Sequence, residues 1–485
     1  MFSYIRDLKN EIFWSVNYQP TQSISEKFKV AFSEGHAEFS STDHDLDLHT
    51  EIVVSPEDDI ELRRLRIHNR SKIRRTIEFT SYAEIVLAPQ AADIAQPAFG
   101  NLFVETELLT EQHAILATRR PQDEEQATPW LCHLLNVYCQ NTASWSFETD
   151  RARFLGRSKS FASPLAMLEA GELSNTAGAV LDPIVAIRCR VTLEANELGV
   201  FDLLTGMADT RTQCITLVEK YQDRHLANRI FGLSWTHGQV LLHHLNITEE
   251  NAQLYCRLAG SILYANASRR AKSDILSANR KGQAGLWAYS ISGDLPIVLL
   301  QIKDADNIEL VRQIIQAQAY WRHKGLQVDL VILNAEHMSY RQSLQDQIMS
   351  LVTSNTDHAG NIIVRALEQI PAEDLVLMQS VARVILSDQQ GTLKEQLRRR
   401  RIIPSPMPLL EISKPTQHVP NSELPPLPDD LLFFNGLGGF TAAGDEYLIR
   451  LNESISTPAP WVNILANKNF GTLVSESGQG YTWIE

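Results

Sequence analysis

The chain has 485 residues, of which 44% are hydrophobic and 21% are charged. This length and composition are typical of a globular protein of two to four domains, each with its own hydrophobic core. The formal net charge of −14 argues against nucleic-acid binding, because such surfaces usually carry a basic patch. The five cysteines are odd in number and form no CxxC pair, which argues against a disulfide framework or a zinc site and favours a reducing compartment.

The apolar stretches are too short to span a bilayer. The most apolar one covers residues 295–300, and the start of the chain has no charged segment followed by a long apolar one. We therefore predict a cytoplasmic chain without membrane insertion, and no motif in it calls for a cofactor.

Residues 4–219 have the pattern of short strands. Alternating runs at 46–54, 62–69, 74–87 and 185–195 are separated by turn-forming residues. Many strands at this spacing without helices between them predict an antiparallel sandwich, which we assign to residues 1–222.

The pattern changes at about residue 210. Leucine and isoleucine recur at helical spacing as far as residue 279, and residues 246–248 precede a typical helix start. This predicts two or three helices and a helical linker over 223–284.

An α/β pattern follows in residues 285–401. An apolar strand at 295–302, an amphipathic helix at 307–325 and a second apolar strand at 328–334 predict a right-handed βαβ unit with parallel strands. A helix at 339–353, a short apolar run at 361–367 and a helix at 371–386 continue the segment.

Prolines then predict an extended linker over 402–428, and strand-like runs return in residues 429–485. The overall prediction is an α+β multi-domain protein. The last segment has the pattern of the opening strands of a sandwich, whereas 1–222 lacks such strands. We therefore expect 429–485 to dock on 1–222, within one chain or swapped between two, because a free sheet edge would invite aggregation.

Several long motifs resemble a known family. LLFFNGLGGFT (431–441), TPAPWVNILAN (457–467) and FGTLVSESGQGYTW (470–483) resemble the opening of the supersandwich domain of glycoside hydrolase family 94. That family includes cellobiose and chitobiose phosphorylases and the large bacterial cyclic β-1,2-glucan synthases, and the similarity is greatest to the synthases. YIRDLKNEIFWS (4–15) resembles a later part of the same kind of domain.

The resemblance implies a function in carbohydrate metabolism with a β-glucan oligosaccharide as ligand. In the family, catalysis is carried by an (α/α)6 barrel whose general acid is an aspartate. The sequence shows no long all-helical region of that kind, so no residue inherits the catalytic role. The chain resembles a middle section of a synthase, without the glycosyltransferase module and the membrane spans of the membrane-associated full-length relatives.

The resemblance thus favours a carbohydrate-binding or scaffolding portion that is not catalytic by itself. Two alternatives stay open: an active glycosyltransferase or phosphorylase, and a purely structural module that assembles with a separate catalytic chain or as a homodimer.

Aromatic residues are the candidate sugar ligands. Sugar rings pack their C–H faces on indole rings while amides and carboxylates bond the hydroxyls. Trp14 in the opening segment and Trp461 with Asn463 near the end fit this chemistry. The alternative for both tryptophans is burial in a sandwich core.

A cluster of possible metal ligands has a simpler explanation. Asp45, Asp47 and His49 alternate with Leu46 and Leu48, as expected for a strand with one face in the core and one in water. We therefore predict a strand here rather than a metal site.

Overall fold

The computed structural model describes residues 1–121, 128–157, 159–169, 171–336, 343–354, 362–398, 426–451 and 455–484. The chain divides into two compact units, Met1–Ile403 and Pro404–Glu485. The predicted linker 402–428 lies outside the described residues except for 426–428.

The first part of unit 1 consists mainly of strands. They are β1 (Phe2–Asp7), β2 (Ile12–Ser15), β3 (Lys27–Ser33), β4 (His36–Asp43), β5 (Leu46–Val54), β6 (Ile60–Asn69), β7 (Arg75–Glu84), β8 (Val104–Leu109), β9 (Ala114–Arg119), β10 (Trp130–Tyr138), β11 (Asn141–Asp150), β12 (Gly178–Ala179), β13 (Pro183–Leu193) and β14 (Leu198–Ala208). Short helices lie between them: α1 (Gln90–Ala95), α2 (Pro97–Asn101), α3 (Arg151–Leu155) and α4 (Leu165–Leu168).

These strands form two antiparallel sheets. One has the order β11-β13-β7-β1-β2, and the other has the order β12-β8-β9-β10-β14-β6-β5-β4-β3. Their inner faces share one core, in which Phe79 of β7 and Phe201 of β14 have ring centroids 5.2 Å apart. The predicted antiparallel sandwich is confirmed.

Strand β5 has the alternation that the sequence predicts. Leu46 and Leu48 are buried, whereas Asp47 is half-exposed and accepts a hydrogen bond from the Thr42 hydroxyl at 2.8 Å. Asp45 lies in the turn before the strand, with a φ of 62°. The aspartates of this segment therefore belong to a turn and a solvated strand face.

Helices follow the sandwich: α5 (Arg211–Gln222), α6 (Arg224–His244), α7 (Glu249–Leu263), α8 (Ser273–Ala278) and α9 (Ala284–Trp287). The Thr248 side chain caps α7 by accepting from the Asn251 N–H, as the predicted helix start requires. The prediction of two or three helices over 210–279 was too low, because α5 and α6 are separate helices divided at Asp223, which caps α6.

A parallel sheet completes unit 1. Its elements are β15 (Ile297–Ile302), α10 (Ile308–His323), β16 (Asp329–Asn334), α11 (Ser343–Ser354), β17 (Ile362–Ala366), α12 (Ala372–Val381), β18 (Val384–Ser387) and α13 (Leu393–Arg398). The strand order is β17-β16-β15-β18, and every pairing is parallel. The predicted βαβ unit is confirmed.

One prediction in this segment was wrong. The helix expected at 371–386 ends at Val381, and the next residues form β18, which pairs with β15. Pairing buries Val384 and Leu386 in the sheet. A short apolar run fits a helix or a buried strand equally well, so its periodicity could not decide between them.

Unit 2 contains two small antiparallel sheets. One joins β19 (Gly438–Phe440) to β20 (Tyr447–Ile449), and the other has the order β21-β22-β23, with β21 (Val462–Ala466), β22 (Phe470–Ser475) and β23 (Gly480–Ile484). The expected return of strands in 429–485 is confirmed. The docking of this segment on 1–222 stays a prediction.

In the described ranges, no helix is both long and apolar enough to cross a bilayer.

Candidate functional site

A cleft of about 780 Å³ lies on unit 1 where the sandwich meets the helices. The β3–β4 hairpin forms one side of it, and α6 and α7 form the others. We call it the aromatic groove, and its principal lining residues are Phe32, His36, Trp235, Gln239, Glu249 and Gln253.

The tip of the hairpin rests on helix α6. Ser33 pairs with His36, which leaves Glu34 and Gly35 as a two-residue turn, and Gly35 has a φ of 90° that favours glycine. The Ser234 hydroxyl of α6 donates to the Gly35 carbonyl at 2.8 Å. A Cβ at Gly35 would lie 3.0 Å from the Ser234 carbonyl oxygen, so the two backbones approach closely.

A second contact anchors the same turn to the parallel-sheet segment. The Glu34 carboxylate accepts a hydrogen bond from the Tyr320 hydroxyl at 2.6 Å and pairs with Lys324 Nζ at 2.5 Å. Burial raises the pKa of Tyr320, and the neighbouring Cys256 and Glu34 raise it further, so the phenol stays protonated as a donor. The turn that forms one wall of the groove is therefore anchored both to α6 and to the end of α10.

Two large aromatic side chains in the groove are exposed. Phe32 is 73% exposed on β3, and Trp235 is 59% exposed on α6. The rings of Phe32 and Phe39 meet at 88° with their centroids 6.2 Å apart. Both rings thus offer apolar surface to a ligand in the cleft.

Polar side chains flank the aromatic ones. Gln239 lies four residues after Trp235, on the same face of α6, and its amide donates to Glu249 on α7 at 3.0 Å. Gln253 follows Glu249 by one helical turn and also lines the cleft. Aromatic faces beside amides and a carboxylate suit a ligand that has both apolar C–H faces and hydroxyl groups.

The structure places the three predicted sugar ligands elsewhere. Trp14 is 2% exposed in the sandwich core, with its ring 4.8 Å from that of His44. Trp461 is half-buried just before β21, and its ring meets that of Tyr447 edge-on at 6.1 Å. Asn463 is exposed two residues later, so it shares a strand face with Trp461. Sugar binding by these residues stays a prediction.

Sequence reasoning did not single out Phe32 or Trp235. A signal exists for each. Phe28, Val30 and Phe32 alternate with Lys27 and Lys29 along one strand, although no face of that strand is buried. Trp235 occurs with Gln239 on the polar side of an amphipathic helix. An apolar ring at a solvated position is a better indication of binding than an aromatic residue in a strongly apolar segment.

Comparison with known proteins gives the family. The model described as "Glycosyl hydrolase 94, supersandwich domain" matches residues 1–224 and 445–485, which is more than half of the chain. The fold of unit 1 and this match define the class of protein, a supersandwich of a carbohydrate-active family. The chain belongs to the glycosyl hydrolase 94 supersandwich family, and the predicted resemblance is confirmed.

A curated relative extends the match to nearly the whole chain. The cyclic beta-(1,2)-glucan synthase NdvB of Rhizobium meliloti (strain 1021) is 30% identical over 507 aligned residues, which cover 99% of this chain. The chain spans 18% of the length of that relative.

Solved structures are similar only over part of the fold. A bacterial glucoamylase complexed with acarbose aligns over 55% of this chain and 35% of its own, with 9% identity and a TM-score of 0.34. A GH36 alpha-galactosidase from Geobacillus stearothermophilus in complex with raffinose aligns over 78% and 58%, with 7% identity and a TM-score of 0.22. Scores this low do not establish a common overall fold.

Proposed function

We propose that this chain is a carbohydrate-binding and scaffolding portion of a cyclic β-1,2-glucan synthase-like protein, and that its aromatic groove holds a β-glucan. The observation that carries the proposal is the exposure of Phe32 and Trp235 beside amides and carboxylates in one cleft. The choice of β-1,2-glucan rests on the name of the relative, and the binding chemistry rests on the groove itself.

In the proposed complex, a glucose ring packs on the Trp235 indole and a neighbouring ring packs on Phe32. The hydroxyls hydrogen-bond to Gln239, Glu249 and Gln253. In small-molecule sites, apolar faces usually provide most of the affinity, and a few polar groups fix the orientation of the ligand. Trp461 with Asn463 on unit 2 is proposed as a separate sugar contact, because the partly exposed Trp461 lies two residues from the exposed Asn463.

The groove is proposed to bind glucan without cleaving it. Glycoside cleavage generally needs two carboxyl groups that are free to act on opposite sides of one bond. Glu34 is engaged by Tyr320 and Lys324, and Glu249 accepts from Gln239. These contacts favour a role in holding the ligand.

Calorimetric titration of the full chain with linear and cyclic β-1,2-gluco-oligosaccharides tests the proposal. Saturable binding is expected, and Trp235→Ala should weaken it by about tenfold, because one aromatic contact is lost. The matched control is Trp287→Ala, since Trp287 is 63% exposed on α9 and does not line the groove. That variant should bind as the wild type does.

The outcomes separate the alternatives. Binding that is lost in Trp461→Ala but retained in Trp235→Ala would move the site to unit 2. Turnover of the glucan or of a sugar donor would favour an active enzyme. An absence of heat at millimolar ligand, together with co-purification of a separate catalytic chain, would favour a purely structural interaction module and overturn the proposal.

A further inference from the structure

The parallel sheet of unit 1 has a topological switch point. The chain passes from β15 to β16 and on to β17 in one direction, and then returns to place β18 on the other side of β15. In open α/β sheets, the loops at the carboxyl ends of two such strands diverge and leave a crevice, which is the usual position of a ligand.

A crevice of about 490 Å³ lies at this position. Lys303, Asp304 and Asn307 line it after β15, Glu336 lines it after β16, and Asp388 with Gln389 lines it after β18. We call it the switch-point crevice. Every described lining residue comes from a loop at the carboxyl edge of the sheet.

Asp388 is the unusual member of this set. It is only 7% exposed, and its Oδ2 accepts the backbone N–H groups of Lys303 at 2.8 Å and Asp304 at 2.9 Å. These two bonds tie the end of β18 to the end of β15. Its second oxygen, Oδ1, is buried and has no hydrogen-bond partner in the described part of the chain.

A buried carboxylate oxygen without a donor costs free energy, so a ligand that brings a donor is favoured. Among the described residues, three carboxylates and one lysine line the crevice, which disfavours an anion such as phosphate. The described residues contain no group of three or more side chains that could hold a metal ion. A ligand that donates hydrogen bonds therefore fits these residues better than a phosphate or a metal ion.

We propose that the switch-point crevice is a second binding site, which takes the vicinal hydroxyls of a neutral sugar ring. One hydroxyl donates to Asp388 Oδ1, which a shift of the loop after β18 uncovers on binding, and the Asn307 and Gln389 amides can donate to or accept from its neighbours. Carboxylates at the ends of strands bind ribose hydroxyls in dinucleotide-binding folds by the same chemistry. The site stands independently of the aromatic groove.

The substitution Asp388→Asn separates ligand binding from structure. Its amide oxygen can take the place of Oδ2 and keep both backbone bonds, while its NH₂ group takes the place of Oδ1 and replaces an acceptor by a donor. Asp306→Asn is the matched control, because it removes the same charge from an exposed neighbour that does not line the crevice.

The experiment is a saturation-transfer NMR titration of the full chain with methyl β-D-glucopyranoside, carried out in the Trp235→Ala background to weaken binding in the aromatic groove. Saturable binding is expected. Asp388→Asn should weaken it by about tenfold or more, as for loss of a hydrogen bond to a charged group. Asp306→Asn should leave it unchanged.

Equal binding by the Asp388→Asn variant would overturn the proposal, as would absence of binding in the Trp235→Ala background. Saturable binding of magnesium chloride or inorganic phosphate that depends on Asp388, without binding of the glucoside, would also overturn it. If Asp388→Asn lowers the melting temperature, the titration is repeated with Asn307→Ala, because Asn307 is exposed and lines the same crevice. Weaker binding of the glucoside by that variant would support the proposal, and equal binding would overturn it. A failure of the groove proposal leaves this result intact, because the readout is the difference in binding between Asp388→Asn and Asp306→Asn in one and the same background.

Discussion

The antiparallel sandwich and the parallel sheet of unit 1 place their polar groups differently. The sandwich pairs its buried carboxylates with arginines: Arg64 forms two hydrogen bonds of 2.6 Å with Asp202, and the half-buried Arg190 pairs with Glu78 Oε1 at 2.7 Å, although Glu78 Oε2 has no hydrogen-bond partner among the described residues. In the parallel sheet, the inner strand β15 is apolar except for Gln301. Just past the end of β18, beside a crevice, the buried Asp388 Oδ1 has no hydrogen-bond partner in the described part of the chain.

This difference distinguishes polar groups that stabilise the fold from polar groups that are available to a ligand. A buried charge whose partners are all in the protein contributes to the specificity of the fold. A buried acceptor at a strand end, beside a crevice and without a protein partner, indicates a ligand. The predictions below test that distinction.

The largest effect is expected from breaking an ion pair in the sandwich. Asp202→Ala leaves Arg64 charged, buried and without its bidentate partner, which should lower the free energy of unfolding by about 3–5 kcal/mol. Asp47→Ala is the control, because its pair with Arg70 is exposed and should contribute less than about 1 kcal/mol. Urea unfolding measures both. Equal losses of stability in the two variants would mean that burial does not determine how much these ion pairs contribute.

The next effect concerns the carboxylate at the edge of the parallel sheet. Asp388→Ala removes the charged acceptor of two backbone hydrogen bonds, from the N–H groups of Lys303 and Asp304, which should cost about 2–4 kcal/mol. Asp388→Asn should unfold nearly as the wild type does. Equal losses of stability in Asp388→Ala and Asp388→Asn would contradict this prediction, because Oδ1 would then have a structural role as well.

A pH titration tests the sandwich from another direction. His133 lies between the hydroxyls of Ser81 and Thr205, each 2.9 Å from a ring nitrogen. Burial, with smaller effects of Arg63 and the chain amino terminus, lowers the pKa of His133 from its ordinary value of 6.5 to about 3.

Because the folded pKa is the lower one, the unfolded chain binds the extra proton between pH 6.5 and about 3. Stability should therefore fall as the pH falls through this window, by up to about 1.4 kcal/mol per pH unit. Urea unfolding at several pH values measures the slope. His133→Gln should reduce it, and an unchanged slope would assign the acid sensitivity to other groups.

The smallest effect is expected at the hairpin that forms one wall of the aromatic groove. Gly35→Ala places a side chain at a positive φ, which costs about 1–2 kcal/mol, and adds a close approach to Ser234. Gly325→Ala is the control, because Gly325 has a φ of 82° with open space around it. Only the Gly35 variant should also bind gluco-oligosaccharide more weakly in the calorimeter. Equal binding by both would show that the hairpin does not shape the groove.

Much of the fold could be predicted from local patterns. The alternation at 46–54 coincides with β5, and the apolar strands and the amphipathic helix of the βαβ unit lie within two residues of the observed elements. The error fell where the local pattern was ambiguous, because the strand β18 was assigned to a helix. The burial of Trp14 in the core depends on packing between sheets, so the local pattern could not decide between burial and exposure.

The alternation of strands and the βαβ unit could be predicted from neighbouring residues, and the family could be predicted from long contiguous motifs. The two proposed sites depend instead on the packing of the tertiary structure. Glu34 and Tyr320 are separated by 286 positions, yet their hydrogen bond anchors the turn that forms one wall of the groove. The open oxygen of Asp388 likewise depends on which strand lies next to β15. Contacts between residues so distant in the chain leave no periodic signal, because they arise only when the sheets and helices pack together.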